Sequence, residues 1–391
     1  MSTPMLSRTG VRQLPSHARL YADAPATRAE RMSRGSAPAA IVVPASRPAS
    51  SLAHLIDVAA QMGAFLVVLC SKQANVDQVS QRMHETLGSR GVAIRVDEYE
   101  FPGLTFTTSG PEFSSVNGGR RSDLSMKRNV GLWLARLLGW EKIVFVDDDM
   151  TILPSDISRI VHQLDRFPIA GMRSLAYPDN SVVCHARRLA RMDQDVFVSG
   201  AVLGVNCARR DLAFFPDIYN EDWFFFGEAA ATRGLPRPGV AKQEVYDPFD
   251  TARAGHEEFG DLLAEGLYSL IEQSGADSFE QVVELASSTY WTDFIDVRHN
   301  AILDVRGRLG HLLDRLDYDD RTIHAATVAL DSSRTRYDGP AAIAPGQCAE
   351  FLERWRKDTN DWRNALPEPM RYRSLAGALD GLQITVWRPV R

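Results

Sequence analysis

Between residues 40 and 96 three short apolar runs alternate with two stretches of helical periodicity, and this alternation constrains the fold more than any other feature. Residues 40–44 (Ala-Ile-Val-Val-Pro), 64–70 and 92–96 read as strands, and residues 51–62 and 76–87 read as helices. Runs that are apolar throughout suit strands covered on both faces, and consecutive parallel strands are joined by right-handed crossovers. The β-α-β-α-β order therefore predicts an α/β fold that begins with a parallel sheet. A further helix is predicted over 127–138, feeding a fourth apolar run, Ile143-Val144-Phe145-Val146, which closes in three aspartates, Asp147, Asp148 and Asp149. They fall at a strand's carboxyl end, where such sheets bind ligands. If the strand stays extended, Asp147 and Asp149 share one face and Asp148 points the other way. Two carboxylates this close repel unless a cation or hydrogen-bond donors compensate, and a hard divalent ion bridging to a phosphate meets that need. The plainer reading is a solvated acidic turn.

The chain has 391 residues and a net charge of −6, enough for one large α/β domain with an appendage or for two domains. That charge offers no basic field for nucleic acid, and the longest apolar stretch is too short to span a bilayer. Cys70, Cys184, Cys207 and Cys348 lack Cys-x-x-Cys spacing and read as reduced, structural thiols of a cytoplasmic protein. Residues 1–38 are rich in Ser, Pro, Ala and Arg without apolar periodicity, and are expected to form a mobile arm. Downstream, residues 156–164 and 223–233 are expected as helices and 196–205 as a strand. The long stretch 257–330 recurs at helical spacing and is assigned to core packing alone. The remainder, with Trp355, Trp362 and Trp387, is expected to cap the fold or cover a partner surface.

Four segments sharpen the meaning of the aspartates. Lys127, Arg128 and Asn129 open a predicted helix, where backbone N–H groups favour anions; cations are disfavoured there by the helix dipole, so a diphosphate counter-charge is expected. Pro44-Ala45-Ser46-Arg47 ends the first strand in a polar loop suited to a base or ribose. Ser199 and Gly200 let a sugar approach the backbone, and Asp222, beside Glu221, is placed to accept a hydroxyl proton, although in isolation an ordinary helix-start charge is the better explanation. His256, between a glycine and acids, is a candidate to complete a metal sphere.

Taken in order, Pro44-Ala45-Ser46-Arg47, Lys127-Arg128-Asn129, Asp147-Asp148-Asp149, Ser199-Gly200 and Glu221-Asp222 resemble the GT-A glycosyltransferases, closest to the family 2 type. The resemblance covers about residues 39–260. It implies a GT-A, Rossmann-like mixed sheet flanked by helices, as a catalytic domain over 39–260, followed by a mainly helical extension over 261–391. It also implies Asp149 as ligand to Mn²⁺ or Mg²⁺, Asp147 as ribose or metal contact, and His256 as a further ligand. Asp148 belongs with the nucleotide-side residues by position and is the one of the three expected to act structurally. Asp222 would be the base of an inverting transfer, with Glu221 its partner. The implied reaction moves a sugar from a nucleotide diphosphate donor to a hydroxyl of a small-molecule acceptor; homo-oligomerisation is compatible with this reading. Two departures stand out. Ser71-Lys72-Gln73 follows the second strand where an acidic nucleotide-binding residue is usual, leaving Asp97 or Glu98 as substitutes. The Gln-x-x-Arg-Trp pattern of processive synthases is also missing, which points to single additions. A sugar-1-phosphate nucleotidyltransferase is the rival enzyme, but Ala45-Ser46-Arg47-Pro48 lacks its Gly-rich loop; an inactive GT-A-like scaffold that binds a protein partner is the rival of another class.

Overall fold

The computed structural model of the chain describes residues 10–22, 36–120, 122–313, 320–340 and 342–390. Its first three strands, β1 (Ala40–Ala45), β2 (Phe65–Cys70) and β3 (Gly91–Arg95), pair in parallel, as the alternation predicts. β4 (Lys142–Val146) lies parallel to β1 on its other side. Beyond it come β5 (Met150–Thr151), β6 (Ile169–Ser174), β7 (Ser199–Asn206), β8 (Val240–Gln243) and β9 (Trp387–Val390). Among the described residues these nine strands form one mixed sheet in the order β5-β8-β6-β7-β4-β1-β2-β3-β9.

Both faces of the sheet are covered, and the period of two in each strand decides which residue serves which face. Ala40 and Val42 of β1, with Ile143 and Phe145 of β4, join the apolar cluster that contains Val130 and Leu134 of helix Leu124–Leu138. Ile41, Val43, Val144 and Val146 join the opposite cluster, under helices Ala53–Met62, Val76–Glu85 and Pro154–Gln163. Helix Leu124–Leu138 approaches the sheet closely at Gly131, where an added Cβ would lie 2.8 Å from the Phe145 ring and 3.0 Å from Val42. That close seat is what brings the first turn of this helix to the ends of β1 and β4.

The chain beyond residue 250 is mainly helical, but it is not a separate appendage. Helix Thr251–Ser274 runs straight through the boundary expected at 260/261. Trp362 of helix Pro345–Ala365 is fully buried against Phe101, Trp133 and Phe214, within the same cluster that covers the sheet. β9 then pairs antiparallel with β3 and closes that edge. Through these contacts the stretch expected to cap the fold or cover a partner surface packs on the sheet domain itself.

Part of the expected arm is also structured. Leu20 is fully buried, Tyr21 stacks on Phe197 at 4.8 Å, and the Ala22 amide donates to the Leu235 carbonyl at 3.0 Å. The apolar anchors Leu20 and Tyr21 are too few to register as periodicity, yet each finds a preformed partner. The arm's residues 1–9 and 23–35 lie outside the described residues. All four cysteines are buried and unpaired, and among the described residues no helix is long and apolar enough to cross a membrane.

Candidate functional site

β1 stands between β2 and β4, and the connections leaving β1 and β4 at their carboxyl ends diverge, which makes this a switch point of the kind where α/β sheets open a crevice. Both sides of the crevice carry residues singled out in the sequence. The strand does not stay extended past Asp147: its amide still donates to the Ala201 carbonyl at 2.9 Å, but the Met150 amide bonds back to the Asp147 carbonyl at 3.1 Å, so the three aspartates form a turn. Their side chains take different partners. Asp148 Oδ2 accepts from the Ser46 and Arg47 amides at 2.7 and 2.9 Å and holds the β1 loop in place, a structural task. Asp147 turns to the opposite side, and Asp149 accepts from the Gln243 side-chain amide of β8 at 3.2 Å. Arg47, one-third exposed, lies over the turn, 3.7 Å from Asp148 and 3.6 Å from Asp149, and is also hydrogen-bonded to Glu244. Pro44 and Ala45 remain within β1, and the Ala45 carbonyl is taken up by the Ser71 amide.

The cations of helix Leu124–Leu138 are not presented to a diphosphate. Lys127 is 1 % exposed, and its amine donates to the Ala45 carbonyl at 2.8 Å and Ser71 Oγ at 2.6 Å and pairs with Asp123 at 3.1 Å. It ties the ends of β1 and β2 to the helix. Asn129 is likewise spent, exchanging two 2.8 Å hydrogen bonds with the Phe215 backbone. Arg128, 2 % exposed, bonds both Asp147 oxygens at 3.0 Å and reaches Glu221 on its other side. The counter-charge that a dipole argument demands at this helix start is supplied inside the molecule, by Asp123, Asp147 and Glu221. Among the described residues the cations with solvent access at the ends of β1 and β2 are the half-buried Arg47 and the exposed Lys72, just past β2.

Behind Asp147 lies a cavity of ≈ 310 Å³. Asp147, Asp179, Glu221 and Asp222 stand on the sheet side of it. The other wall is helix Thr251–Ser274, which presents Glu257, Asp261 and Glu265 one turn apart on one face. This wall belongs to the stretch that sequence reasoning left to core packing. The missed signal was three acids at i, i+4 and i+8 among Phe259, Leu262, Leu263 and Leu267. Asn220, which precedes Glu221, takes a left-handed conformation (φ 61°), and its side-chain amide bonds Asp261 at 3.0 Å, fixing the Glu221-Asp222 turn against that helix. Asp222 accepts from the Gly200 amide and, at 2.9 Å, from the Trp223 amide. Gly200 is required for this contact: an added Cβ would lie 2.6 Å from the Arg128 guanidinium and 2.9 Å from Asp222 Cβ. Ser199 lines the cavity beside it.

Crowding shows in the acidities. Burial, reinforced by Asp149, pushes Asp147 up to about 7 in spite of Arg128. Asp149 is raised by burial and by Asp179. Burial and the neighbouring Glu221 raise Asp222 well above the ordinary carboxylate range. Glu257 is raised by burial to about 7. Among the described residues no group of three or more His, Cys, Asp and Glu side chains is arranged to hold a metal ion, so His256 is not brought to the aspartates. It packs instead on Gly118, whose Cβ position lies 3.0 Å from the imidazole Cδ2. A Mg²⁺-type site completed by substrate phosphates needs only one or two carboxylates. Asp149 and Asp147 fit that requirement: all donors are oxygens, and the neighbouring carboxylates repel each other.

The docked N-terminal segment buttresses the helical wall. His17 is buried, with Nδ1 2.9 Å from Glu272 and Nε2 3.4 Å from Glu265. Burial alone would lower its pKa, but hydrogen bonds and charge from the two glutamates outweigh that and push it up to about 9. A raised histidine contributes stability that is fully present below its unfolded value near 6.5 and is lost as pH rises through about 9. The melting temperature is therefore expected to fall between pH 7 and pH 10. His17→Gln should lower it at pH 7 and flatten that fall, as scanning calorimetry across the range would register; an unchanged slope would remove the ion pair as its source.

No family model matches this chain, and no curated protein matches it in sequence.

Proposed function

We propose that this protein is a metal-dependent glycosyltransferase with a GT-A type fold, transferring a sugar from a nucleotide diphosphate donor to a hydroxyl of a small-molecule acceptor with inversion. The observation that carries this reading is a pair of crowded carboxylates, Asp147 and Asp149, at the sheet's switch point, opening into a cavity that holds the buried Asp222. Mn²⁺ or Mg²⁺ held by Asp149 and Asp147 would neutralise charge building on the departing diphosphate. The half-buried Arg47 and the exposed Lys72, at the ends of β1 and β2, would meet the phosphates, and Arg47 would exchange its present carboxylate partners for them. Asp222 takes the proton from the acceptor hydroxyl as its oxygen bonds to the sugar's anomeric carbon and the bond to the diphosphate breaks. Glu221, held by Arg128, keeps Asp222 basic by repulsion, and Arg128 in turn keeps Asp147 at the cavity mouth.

Incubation with Mn²⁺ and a panel of UDP-, GDP- and dTDP-sugars tests the reaction. Release of nucleoside diphosphate supports transfer. Pyrophosphate formed from nucleoside triphosphate and sugar 1-phosphate would mean nucleotidyl chemistry, and the absence of both would favour a binding scaffold. Among UDP, GDP and dTDP, the cognate diphosphate at a hundredfold excess over its Kd with Mn²⁺ should stabilise the fold by about 2.7 kcal/mol. Asp149→Ala should abolish the Mn²⁺-dependent part of this shift; its full retention would overturn the metal role.

A further inference from the structure

We propose that the cavity behind Asp147 takes an ammonium group, so that the acceptor is a small amino compound anchored by its cation and glycosylated on a neighbouring hydroxyl. This inference rests on the transferase reading of the same site and names its acceptor class. Its basis is the chemistry of the lining. Glu257, Asp261 and Glu265 face the cavity from one helix, opposite Asp179 and Asp222. Glu257, Asp261 and Glu265 are paired from behind with Arg253, Arg298 and His17, and the lining cations Arg120 and Arg128 with Asp217 at 3.2 Å and with Asp147 and Glu221, so among the described residues the excess negative charge on this lining rests on Asp179 and Asp222.

An independent observation says what the ligand must bring. Three buried side-chain oxygens on this lining have no hydrogen-bond donor: Glu257 Oε2, Gln243 Oε1 and Asn180 Oδ1. Glu257 and Gln243 are each 8 % exposed, and Glu257's other oxygen is bonded to Arg253. All three atoms are acceptors, and unpaired buried acceptors are rare enough in folded proteins to call for a partner. An ammonium brings three donors and no acceptor and matches the three unpaired oxygens, whereas a hydroxyl offers them one donor and turns its lone pairs to donors such as the unpaired Arg128 Nε. A bare metal ion is the weaker match, because no three of the carboxylates converge. The reaction is unchanged: the acceptor hydroxyl proton passes to Asp222, the new glycosidic bond forms, and the nucleoside diphosphate leaves.

The test uses matched probes on the full chain without donor, by titration calorimetry. Trans-1,4-diaminocyclohexane should bind at least tenfold more tightly than trans-1,4-cyclohexanediol, and glucosamine more tightly than glucose. Glu257→Gln should weaken diamine binding at least tenfold; should that variant fail to fold, Asn180→Ala, which removes one unpaired acceptor, should weaken it severalfold. Equal binding of diamine and diol, or unaltered diamine binding in the folded variant, would overturn the proposal. Selective diamine binding with no diphosphate released from any nucleotide sugar retains the cation site and overturns the transferase reading. Diphosphate release with glucose and glucosamine accepted equally overturns the amine inference alone.

Discussion

Arg128→Met is expected to lower the unfolding free energy by about 3–5 kcal/mol, the cost of stripping a buried ion pair of one partner. The arginine is 2 % exposed and is the shared counter-ion of Asp147 and Glu221, which meet it from β4 and from the helix start at Glu221. Its removal leaves both carboxylates in a cavity already crowded with acids, and they must bind protons or draw in water. Urea unfolding should show a lower midpoint at an unchanged slope. Adding Glu221→Leu should recover about 1–3 kcal/mol of the loss, because the two side chains are directly coupled. A single variant within 1 kcal/mol of the parent would show that Arg128 is not what holds the site together.

Asp222→Asn is expected to reduce kcat by about 10²–10⁴-fold, the usual contribution of a positioned general base, while leaving the fold intact. The asparagine carbonyl can still accept from the Gly200 amide, and the Trp223 amide, which loses Oδ1, keeps the Asn220 carbonyl at 3.1 Å. Stability should not fall either, and the sign follows from the direction of the shift. An acid whose folded pKa is raised from 3.8 binds more protons folded than unfolded, so it costs stability as pH rises above 3.8 toward the folded value, and asparagine escapes that cost. At pH 8 the variant should therefore melt no lower than the parent. In the parent, kcat/KM should climb with pH through the raised pKa as the carboxyl ionises, and in the variant that limb should vanish. Retained activity in Asp222→Asn would transfer the proton to another acceptor and remove this residue from the mechanism.

Much of the architecture is legible in the sequence where burial on both faces makes a strand apolar throughout, as in β1, β2 and β4. It is illegible where composition is ambiguous. β6 reads Ile-Ala-Gly-Met-Arg-Ser and β8 reads Val-Ala-Lys-Gln, neither with a β-branched run, and β9 carries Pro389, which suits only an edge. The site divides the same way. Asp147, Asp149 and Asp222 are visible as carboxylates at element ends, and the structure brings Asp147 and Asp222 to one cavity with Asp149 beside it. Lys127 and Arg128 mislead because a sequence shows that a helix start needs negative charge but not whether a ligand or the protein provides it. Glu257, Asp261 and Glu265 hide for the converse reason: an apolar helix masks the stripe it carries.

The pairing of β9 with β3 has a consequence for how the protein is made. These strands are far apart in the sequence, at residues 91–95 and 387–390, so during synthesis β3 waits with its outer row of amides and carbonyls open while the intervening chain is made. The sheet core can assemble in that interval, but its edge stays adhesive until residues 387–390 arrive. Holding that edge free of neighbouring nascent chains is work for a chaperone, and fast overexpression is the condition under which it should fail, as aggregation rather than as loss of a finished fold.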